Sequence, residues 1–413
     1  MTVESWATES VADCLVPVSV TGKAKIQSRD YKPSGRFPVI DQGQEPIAGW
    51  TDDESAVIDT PLPLIVFGDH TRVFKFLDTP FARGADGTQL LRPKPGIDPL
   101  FFFYACRAVD LPARGYNRHF TILKEKEISY PSSDGEQKAI AAVLRQTESA
   151  LVQQSSLLDM LQELKRATMR ELFTRGLRGE PQKETEIGPM PKSWNLVEFQ
   201  GIREWLQYGT STHCTVERRS YPVLRIPNVE SGRVNPSDLK YCDLSAAEAS
   251  KYLLESGDVL FIRTNGVLER LGSCAVYQGE PQGALFASYL IRARIKKDVA
   301  NPRYLAFFYG SHLGTSLVAG RATPAADGKY NLNTGTIDSL PLPLPPTLDE
   351  QAEIVGVLEA IDRKIDLHLK KREVLEQLFK SLLHKLMTGE ISVSDLDLSA
   401  LSSASTQREE VAA

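Results

Sequence analysis

Apolar side chains recur at alternating steps of four and three along two long segments, 133–174 and 347–388, and neither segment contains a proline. On the first seam the positions are Ile140, Leu144, Thr147, Leu151, Gln154, Leu158, Leu161, Lys165, Thr168 and Leu172. On the second they are Ile354, Leu358, Ile361, Ile365, His368, Arg372, Leu375, Phe379, Leu382 and Leu386. A mostly apolar seam at period 3.5, sustained over several heptads, predicts long helices of the coiled-coil kind. The polar residues in the middle of each seam are of the type that fixes register at some cost in stability.

Both segments begin with the same capping pattern. Ser133 and Thr347 each stand three residues before a glutamate, Glu136 and Glu350, in the S/T-x-x-E arrangement of a capping box. We therefore interpret both glutamates as helix caps rather than catalytic groups. Each helix of about 42 residues is then roughly 60 Å long, because an α-helix rises about 1.5 Å per residue.

The helical segments belong to a long internal repeat. Residues 116–174 overlie residues 330–388 at a constant offset of 214, the difference between 330 and 116 and between 388 and 174. At this offset Pro131 matches Pro345, and the pair Glu136-Gln137 matches Glu350-Gln351. A period this long exceeds that of solenoid repeats and implies two equivalent domains.

Each helical segment follows a region of short predicted strands. These are 37–40, 64–67 and 89–91 in the first copy, and 221–224, 259–262 and 289–291 in the second. A short helix that begins with a proline follows in each copy, at 99–104 and 302–307. We therefore predict an α+β fold in which two similar domains are separated by an antiparallel pair of long coiled-coil-like helices, with pseudo-two-fold symmetry. The predicted boundaries are 1–128 for the first domain, 129–176 for the first helix, 177–193 for the linker, 194–344 for the second domain, 345–390 for the second helix and 391–413 for a disordered tail.

The proline-rich run 340–346 is predicted to be extended and to lead stiffly into the second helix, because each proline restricts its neighbour. A ligand for an SH3-type domain is the alternative. The polar, alanine-rich tail is expected to be disordered.

Composition narrows the function. The chain has 413 residues, 42% of them hydrophobic and 24% charged, as in ordinary globular proteins. It shows no signal peptide and no apolar run long enough for a bilayer, so we expect a cytoplasmic protein. The five cysteines are scattered, so neither a disulfide framework nor a zinc site is indicated, and a metal role for His213-Cys214 is disfavoured. The net charge of −5 argues against binding to DNA by bulk charge alone.

Motifs for catalysis are missing from the sequence. There is no Walker loop, H-E-x-x-H motif, nucleophile elbow or D-x-D cluster. The run 301–304, N-P-R-Y, is similar to the N-P-P-Y loop of amino-methyltransferases, but Arg303 replaces a proline and no glycine-rich cofactor loop accompanies it. We interpret this run as structural and the chain as non-catalytic, with no catalytic residue, metal or cofactor of its own.

Binding chemistry remains on loops that follow equivalent strands. His70 and Arg72 follow one strand, and Arg263 and Asn265 follow its counterpart; Arg and Asn make two-pronged contacts to guanine and adenine. Further basic residues are candidates for phosphate contacts: Arg36, Lys75, Arg83, Arg118, Arg218, Arg219, Arg225, Arg321 and Lys329. For each of these, a solvated charge or a stabilising ion pair is the competing interpretation.

The whole pattern resembles the specificity subunits of type I restriction–modification systems. The run 345–351, P-P-T-L-D-E-Q, is similar to the P-P-L-x-E-Q with which that family starts its long helix, and 131–137, P-S-S-D-G-E-Q, echoes it. The runs 191–194 (P-K-S-W) and 257–260 (G-D-V-L) resemble the start and a strand of a target-recognition domain. The runs 37–40 (F-P-V-I) and 47–50 (I-A-G-W) resemble part of a first recognition domain.

The resemblance implies two target-recognition domains that each read one half of a bipartite double-stranded DNA site. It also implies two methyltransferase subunits that dock on the chain, and restriction subunits that join them. S-adenosylmethionine, ATP and Mg²⁺ would belong to those partners. Two alternatives stay open: a fused specificity and adenine methyltransferase enzyme, and a coiled-coil scaffold for proteins without a DNA role.

Overall fold

The computed structural model describes residues 6–58, 60–84, 87–112, 118–230 and 232–396, and the chain divides into two compact units. Unit 1 comprises Met1–Ser155 and Lys370–Ala413, and unit 2 comprises Ser156–Leu369. Both long helices cross the division, so that each helix contributes one part to each unit.

Unit 1 contains two small sheets and a strand pair. Its strands are β1 (Trp6–Ser10), β2 (Phe37–Ile40), β3 (Gly49–Thr51), β4 (Val57–Ile58), β5 (Leu64–Gly68), β6 (Phe74–Leu77), β7 (Phe81–Arg83), β8 (Thr88–Leu91) and β9 (Glu127–Pro131). They form the sheets β3-β2-β7-β4 and β6-β5-β8 and the pair β1-β9. The helices are α1 (Pro99–Ala108), α2 (Phe120–Lys124) and the long α3 (Asp134–Arg175), which continues into unit 2. Asp98 caps α1 through hydrogen bonds from the backbone of Leu100 and Phe101, and Pro99 occupies its first turn.

Unit 2 is built on a six-stranded sheet. Its strands are β10 (Gln182–Thr185), β11 (Gly188–Pro191), β12 (Asn195–Glu198), β13 (Arg203–Tyr208), β14 (Tyr221–Leu224), β15 (Val229–Glu230), β16 (Gly232–Val234), β17 (Lys240–Cys242), β18 (Val259–Ile262), β19 (Thr264–Asn265), β20 (Cys274–Val276), β21 (Leu285–Phe286), β22 (Leu290–Ile295), β23 (Thr323–Pro324), β24 (Tyr330–Asn331) and β25 (Pro341–Leu344). The sheets run β13-β22-β18-β20-β16-β15, β17-β14-β21 and β19-β24-β23, with the pairs β10-β11 and β12-β25. The helices are α4 (Phe199–Ile202), α5 (Ala246–Ala249), α6 (Pro302–Tyr309), α7 (His312–Ala319), α8 (Thr334–Asp338) and the long α9 (Leu348–Met387), which ends in unit 1.

The two long helices pack together and antiparallel. In unit 1 the early part of α3, with Ile140 and Leu144, shares a core with the late part of α9, with Phe379 and Leu386. In unit 2 the end of α3 shares a core with the start of α9, which includes Ile354. Every position of both predicted seams is buried or partly buried. The predicted α+β fold with a pair of long helices is therefore confirmed.

A buried glutamine repeats the same connection in both units. Gln137 accepts a hydrogen bond from the backbone N–H of Asp98 at 2.7 Å and donates to the carbonyls of Gly96 and Pro131 at 3.1 and 2.8 Å. Its counterpart Gln351, 1% exposed, accepts from Asn301 at 2.8 Å and donates to the carbonyls of residues 299 and 345 at 3.2 and 3.4 Å. The glutamine of the repeated Glu-Gln pair thus fastens the long helix to a short helix and to the strand before it.

The capping prediction holds for the hydroxyls, while Glu350 has a different partner. The backbone N–H groups of Glu136 and Glu350 bond to the hydroxyls of Ser133 and Thr347 at 3.3 and 3.2 Å. The Glu350 carboxylate accepts a hydrogen bond at 3.0 Å from the indole of the fully buried Trp194.

Three predicted connecting segments differ in outcome. The proline-rich run is extended, as predicted, but as β25 it pairs with β12, and Pro341 and Pro343 are buried, which leaves no free peptide for an SH3-type domain. The predicted linker contains a β-hairpin, formed by β10 and β11, which places Met190 in the core of unit 2. At the start of the tail that we predicted to be disordered, Val393–Asp395 form a 3-10 turn, and the apolar side chain of Ile391 packs on the core of unit 1. The remaining tail, 397–413, lies outside the described residues.

Among the described residues, none of the helices combines the length and the apolar character needed to cross a membrane.

Candidate nucleic-acid interface

The end of strand β18 in unit 2 positions Arg263. Its guanidinium lies 4.6 Å from the centre of the Tyr208 ring, and Nη1 donates to the Ser288 carbonyl at 3.4 Å. The backbone of Arg263 is held on both sides, by N–H to the carbonyl of Tyr289 and by its own carbonyl to the N–H of Leu332. A guanidinium stacked on an aromatic face is aligned by the ring, which reduces the freedom it loses on binding a ligand.

A small sheet brings three further predicted residues towards this arginine. Asn265 pairs with Tyr330 across β19 and β24, so Lys329 lies directly beside that pair. Strand β23, which pairs with β24, starts two residues after Arg321. The small sheet β19-β24-β23 therefore brings together the chain segments that carry Arg263, Asn265, Arg321 and Lys329, although these residues are up to 66 positions apart, from 263 to 329.

The side chains of this group carry weak local contacts. Lys329 forms an exposed ion pair with Asp327 at 2.8 Å, which raises the pKa of the lysine. Arg321 donates to the Leu317 carbonyl at 3.2 Å, and the side-chain oxygen Oδ1 of Asn265 accepts from the backbone N–H of Val267 at 2.9 Å. Exposed ion pairs of this kind contribute little stability, so a phosphate can replace the carboxylate at small cost.

Two tyrosines that sequence reasoning did not assign to the site flank Arg263. Tyr289 is 58% exposed and Tyr208 is 37% exposed. A tyrosine at the start of a predicted strand carries no signal by itself. The structure reveals the contrast: Tyr289 lies next to the buried strand residues Leu290 and Ile291, and yet its own side chain is exposed.

Arg219 and Arg225 lie at opposite ends of strand β14. Arg225 donates to the Asp238 carboxylate at 2.9 Å and is only 19% exposed. Arg219 contacts Glu217 at 2.8 Å and Asp243 at 3.8 Å. The guanidinium of Arg225 is therefore held in an ion pair within the domain, whereas the side chains of Arg219 and the neighbouring Arg218 are exposed.

In unit 1 the segment 69–72 forms the turn of the hairpin between β5 and β6. Asp69 is buried, and its carboxylate accepts from the backbone of Phe120 at 2.7 Å, at the start of α2. Arg72 has a left-handed backbone with φ of 64°, and its guanidinium donates to the Leu111 carbonyl at 2.7 Å. His70 is half-buried and Arg72 is exposed, so this turn is hydrogen-bonded to Leu111 and to the start of α2 while it still presents Arg72 to solvent.

The other basic candidates of unit 1 occupy different surroundings. Lys75 is 8% exposed, donates to the Glu45 carbonyl at 2.6 Å, and has its pKa lowered by burial, although Asp41 opposes this. Burial also lowers the pKa of Arg83. Arg36 is exposed, stacks on Phe37 and forms an ion pair with Glu54, and Arg118 is exposed. Lys75 is thus directed into the protein, so its side chain is the least available for a phosphate.

The N-P-R-Y run has the structural role that we predicted. The Asn301 side chain caps α6, Arg303 forms an ion pair with Glu359 at 2.9 Å, and the Tyr304 hydroxyl donates to the Pro343 carbonyl at 2.5 Å. Tyr304 is fully buried, so it offers no ring on which an extruded base could stack.

No cluster of metal-binding side chains occurs in the part of the chain that the structure describes. The interface therefore offers guanidinium, ammonium, amide and phenol groups. These groups bind phosphates and base edges.

Comparisons with known proteins agree with this arrangement. Residues 192–377 match the family model for the type I restriction modification DNA specificity domain. The chain is 30% identical over 207 residues to a putative type I restriction enzyme MjaX specificity subunit of Methanocaldococcus jannaschii, covering 50% of this chain and 48% of that one. It is 29% identical over 219 residues to the EcoKI specificity subunit of Escherichia coli K12, covering 51% of this chain and 46% of that one. The chain thus spans about half the length of these curated relatives.

One solved structure matches over nearly the whole chain. The crystal structure of a type I restriction–modification S subunit from M. genitalium superposes with a TM-score of 0.60 at 16% identity. It covers 92% of this chain and 96% of that one. At this identity the likeness establishes the fold.

Proposed function

We propose that the chain is a specificity subunit of a type I restriction–modification system and that it reads a bipartite DNA site, one half-site per unit. The observation that carries the proposal is the cluster of Arg263, Asn265, Arg321 and Lys329 in unit 2. Arginine and asparagine recognise purines by paired hydrogen bonds in the major groove, while the two other side chains neutralise phosphates. The chain itself supplies recognition and no catalysis.

The geometry at Arg263 supports direct base reading. The ring of Tyr208 and the carbonyl of Ser288 hold its guanidinium in one orientation. A fixed, planar guanidinium suits the two acceptors of guanine, and a good pair of this kind contributes about 1–3 kcal/mol of discrimination. In unit 1, Arg72 with His70 is the equivalent proposal, supported by the anchored turn that carries them.

Apolar side chains on the long helices support the docking of partner subunits. In unit 1, Val152 and Val374 are 66% and 64% exposed, and in unit 2 Met160 and Leu367 are 60% and 64% exposed. The seam positions already fill the contact between α3 and α9, so these residues are left for another surface. We assign these exposed residues to the docking of methyltransferase subunits, which bring S-adenosylmethionine. Restriction subunits, which use ATP and Mg²⁺, complete the same complex.

The experiment selects preferred sites from a randomised DNA pool with the assembled methyltransferase. We expect Arg263→Ala to relax the preference at one or two positions of one half-site, by about five- to 150-fold, and to leave the other half unchanged. Arg263→Lys, which keeps the charge without the paired donors, should relax it as well.

Arg166→Ala is the matched control, because this exposed arginine on α3 forms its ion pair with Glu163 on the same helix. It should leave both halves unchanged. If Arg263→Ala weakens binding to all sequences equally, the residue contacts phosphate and the base-reading proposal fails. If both halves change, the units do not read independently.

A further inference from the structure

Two cysteines meet across a short antiparallel contact in unit 2. Thr215 and Tyr241 form an isolated bridge in which each N–H bonds to the other's carbonyl, at 2.9 and 2.8 Å. That exchange makes them a hydrogen-bonded pair, so the neighbouring pair, Cys214 and Cys242, is of the non-hydrogen-bonded kind. In such pairs the Cα atoms lie about 4.5 Å apart and the side chains approach closely. A disulfide needs Cα atoms about 4.4–6.8 Å apart.

The two cysteine side chains lie in the same apolar cluster, and the Cys214 thiol donates to the Thr212 carbonyl at 3.3 Å. Both side chains pack against Val223 and Leu285. The geometry of the backbone and the packing of the side chains therefore agree.

The two thiols are unequal in access and in acidity. Cys242 is 2% exposed and Cys214 is half-buried. Burial raises the pKa of both, that of Cys242 to about 11, but at Cys214 the charges of Arg225 and Lys240 and the Cys242 thiol act in the opposite direction. Cys214 is thus the thiol that an oxidant in solution reaches first.

We propose that Cys214 and Cys242 are an oxidation site that forms a reversible disulfide in the presence of a peroxide. The Cys214 thiolate attacks one peroxide oxygen, the O–O bond breaks, and the products are a sulfenic acid and hydroxide, which takes up a proton to give water. The Cys242 thiol then loses its proton, its sulfur bonds to the Cys214 sulfur, and the sulfenic oxygen leaves as water. In total the two thiols lose two electrons and two protons, and the peroxide is reduced to two waters. A dithiol reductant restores both thiols by exchange.

The disulfide fastens the segment between β13 and β14 to strand β17. This segment begins after Tyr208, which stacks with Arg263, and ends with Arg218 and Arg219 before β14. Its present attachments include single bridges from Thr210 to Ala287 and from Thr215 to Tyr241. Oxidation therefore restrains the backbone that connects two sets of basic residues.

The other three cysteines are more deeply buried than Cys214. Cys14, Cys106 and Cys274 are all buried, at 3% exposure or less, and burial raises the pKa of each. They serve as internal controls in the same molecule.

Peptide mapping of the full-length chain tests the proposal without DNA or partner subunits. The reduced protein is treated with hydrogen peroxide, its free thiols are alkylated, and it is digested with trypsin without reductant. We expect peptides 204–218 and 241–251 to appear joined, two hydrogens lighter than their sum, and to separate after dithiothreitol. If both peptides stay alkylated, or Cys214 proceeds to sulfinic acid without the joined species, the proposal is overturned.

Two variants and a second measurement sharpen the test. Cys214→Ser should abolish the joined peptide, whereas Cys274→Ser, the matched control, should retain it. Hydrogen exchange of the oxidised wild-type chain should slow in residues 209–220 and reverse on reduction. Unchanged exchange there, despite a joined peptide, would refute the claim that the disulfide restrains this segment.

Discussion

Replacing Gln351 by methionine should destabilise unit 2 strongly. Methionine keeps the length and volume of the side chain but removes an amide that makes three hydrogen bonds, to Asn301, Val299 and Pro345. Each such bond contributes about 0.5–1.5 kcal/mol net, and a buried N–H left without a partner costs about 1–3 kcal/mol. We expect a loss of about 3 kcal/mol in the free energy of unfolding of unit 2.

Hydrogen exchange measured by mass spectrometry resolves the two units. A loss of about 3 kcal/mol corresponds to roughly 100-fold faster exchange, since 1.4 kcal/mol is a factor of ten. The acceleration should be confined to peptides of 156–369. Gln137→Met should instead accelerate exchange in the peptides of unit 1, because Gln137 makes three equivalent hydrogen bonds there. The exposed Gln153, whose side chain donates to Ser149 at 3.2 Å, supplies the control Gln153→Met.

Two results would refute this reasoning. If Gln351→Met accelerated exchange less than about fivefold, the buried amide would not be a principal connection between the helix and the domain. If it accelerated exchange equally in both units, the units would not open separately, and the division of the chain at 155 and 369 would have no energetic meaning.

Three further predictions concern stability and site geometry. Trp194→Phe should cost about 1–2 kcal/mol in urea unfolding, because it removes the hydrogen bond to Glu350 while keeping a ring in the core; no change would show that the bond is not stabilising. Deleting one heptad from α3 removes about 10 Å of helix, and methylome sequencing of the assembled enzyme should show a gap between half-sites shorter by roughly three base pairs; an unchanged gap would exclude the helix as the spacer. Burial lowers the pKa of Lys75, so between the lowered folded pKa and the ordinary lysine value the unfolded chain binds more protons than the folded one. The free energy of unfolding should therefore rise as the pH increases through this window. Lys75→Met should lack that rise, which the urea midpoint measures.

Periodicity predicted the elements that depend on local pattern. All twenty seam side chains are buried or partly buried in the structure, even those of the polar Gln154 and His368. A period of 3.5 places them on the same helix face as the apolar residues. The strands that precede each helix were also recovered, since continuous apolar runs such as 259–262 are fully buried.

Long-range pairing explains what the pattern missed. The prolines of 181–191 indicated a spacer, but Pro189 and Pro191 fit a two-stranded hairpin that the chain closes with Gly188 at a φ of 100°. Lys75 looked like a surface cation because its partners, Asp41 and the Glu45 carbonyl, come from a distant loop. The grouping of Arg263 with Lys329 depends on the pairing of β19 with β24, which no local signal specifies.

The division of each long helix between two units has a consequence during synthesis on the ribosome. Unit 1 requires the end of α9, where the Phe379 ring lies 6.3 Å from the ring of Tyr104, so it cannot be completed before this part of α9 has been synthesised. Unit 2 is complete once residue 369 has emerged. The domain that is encoded first is therefore finished last, and until then α1 and the first half of α3 expose the apolar surface that α9 later covers. Unit 1 is in this sense the more dependent on chaperones and the more sensitive to truncation within α9.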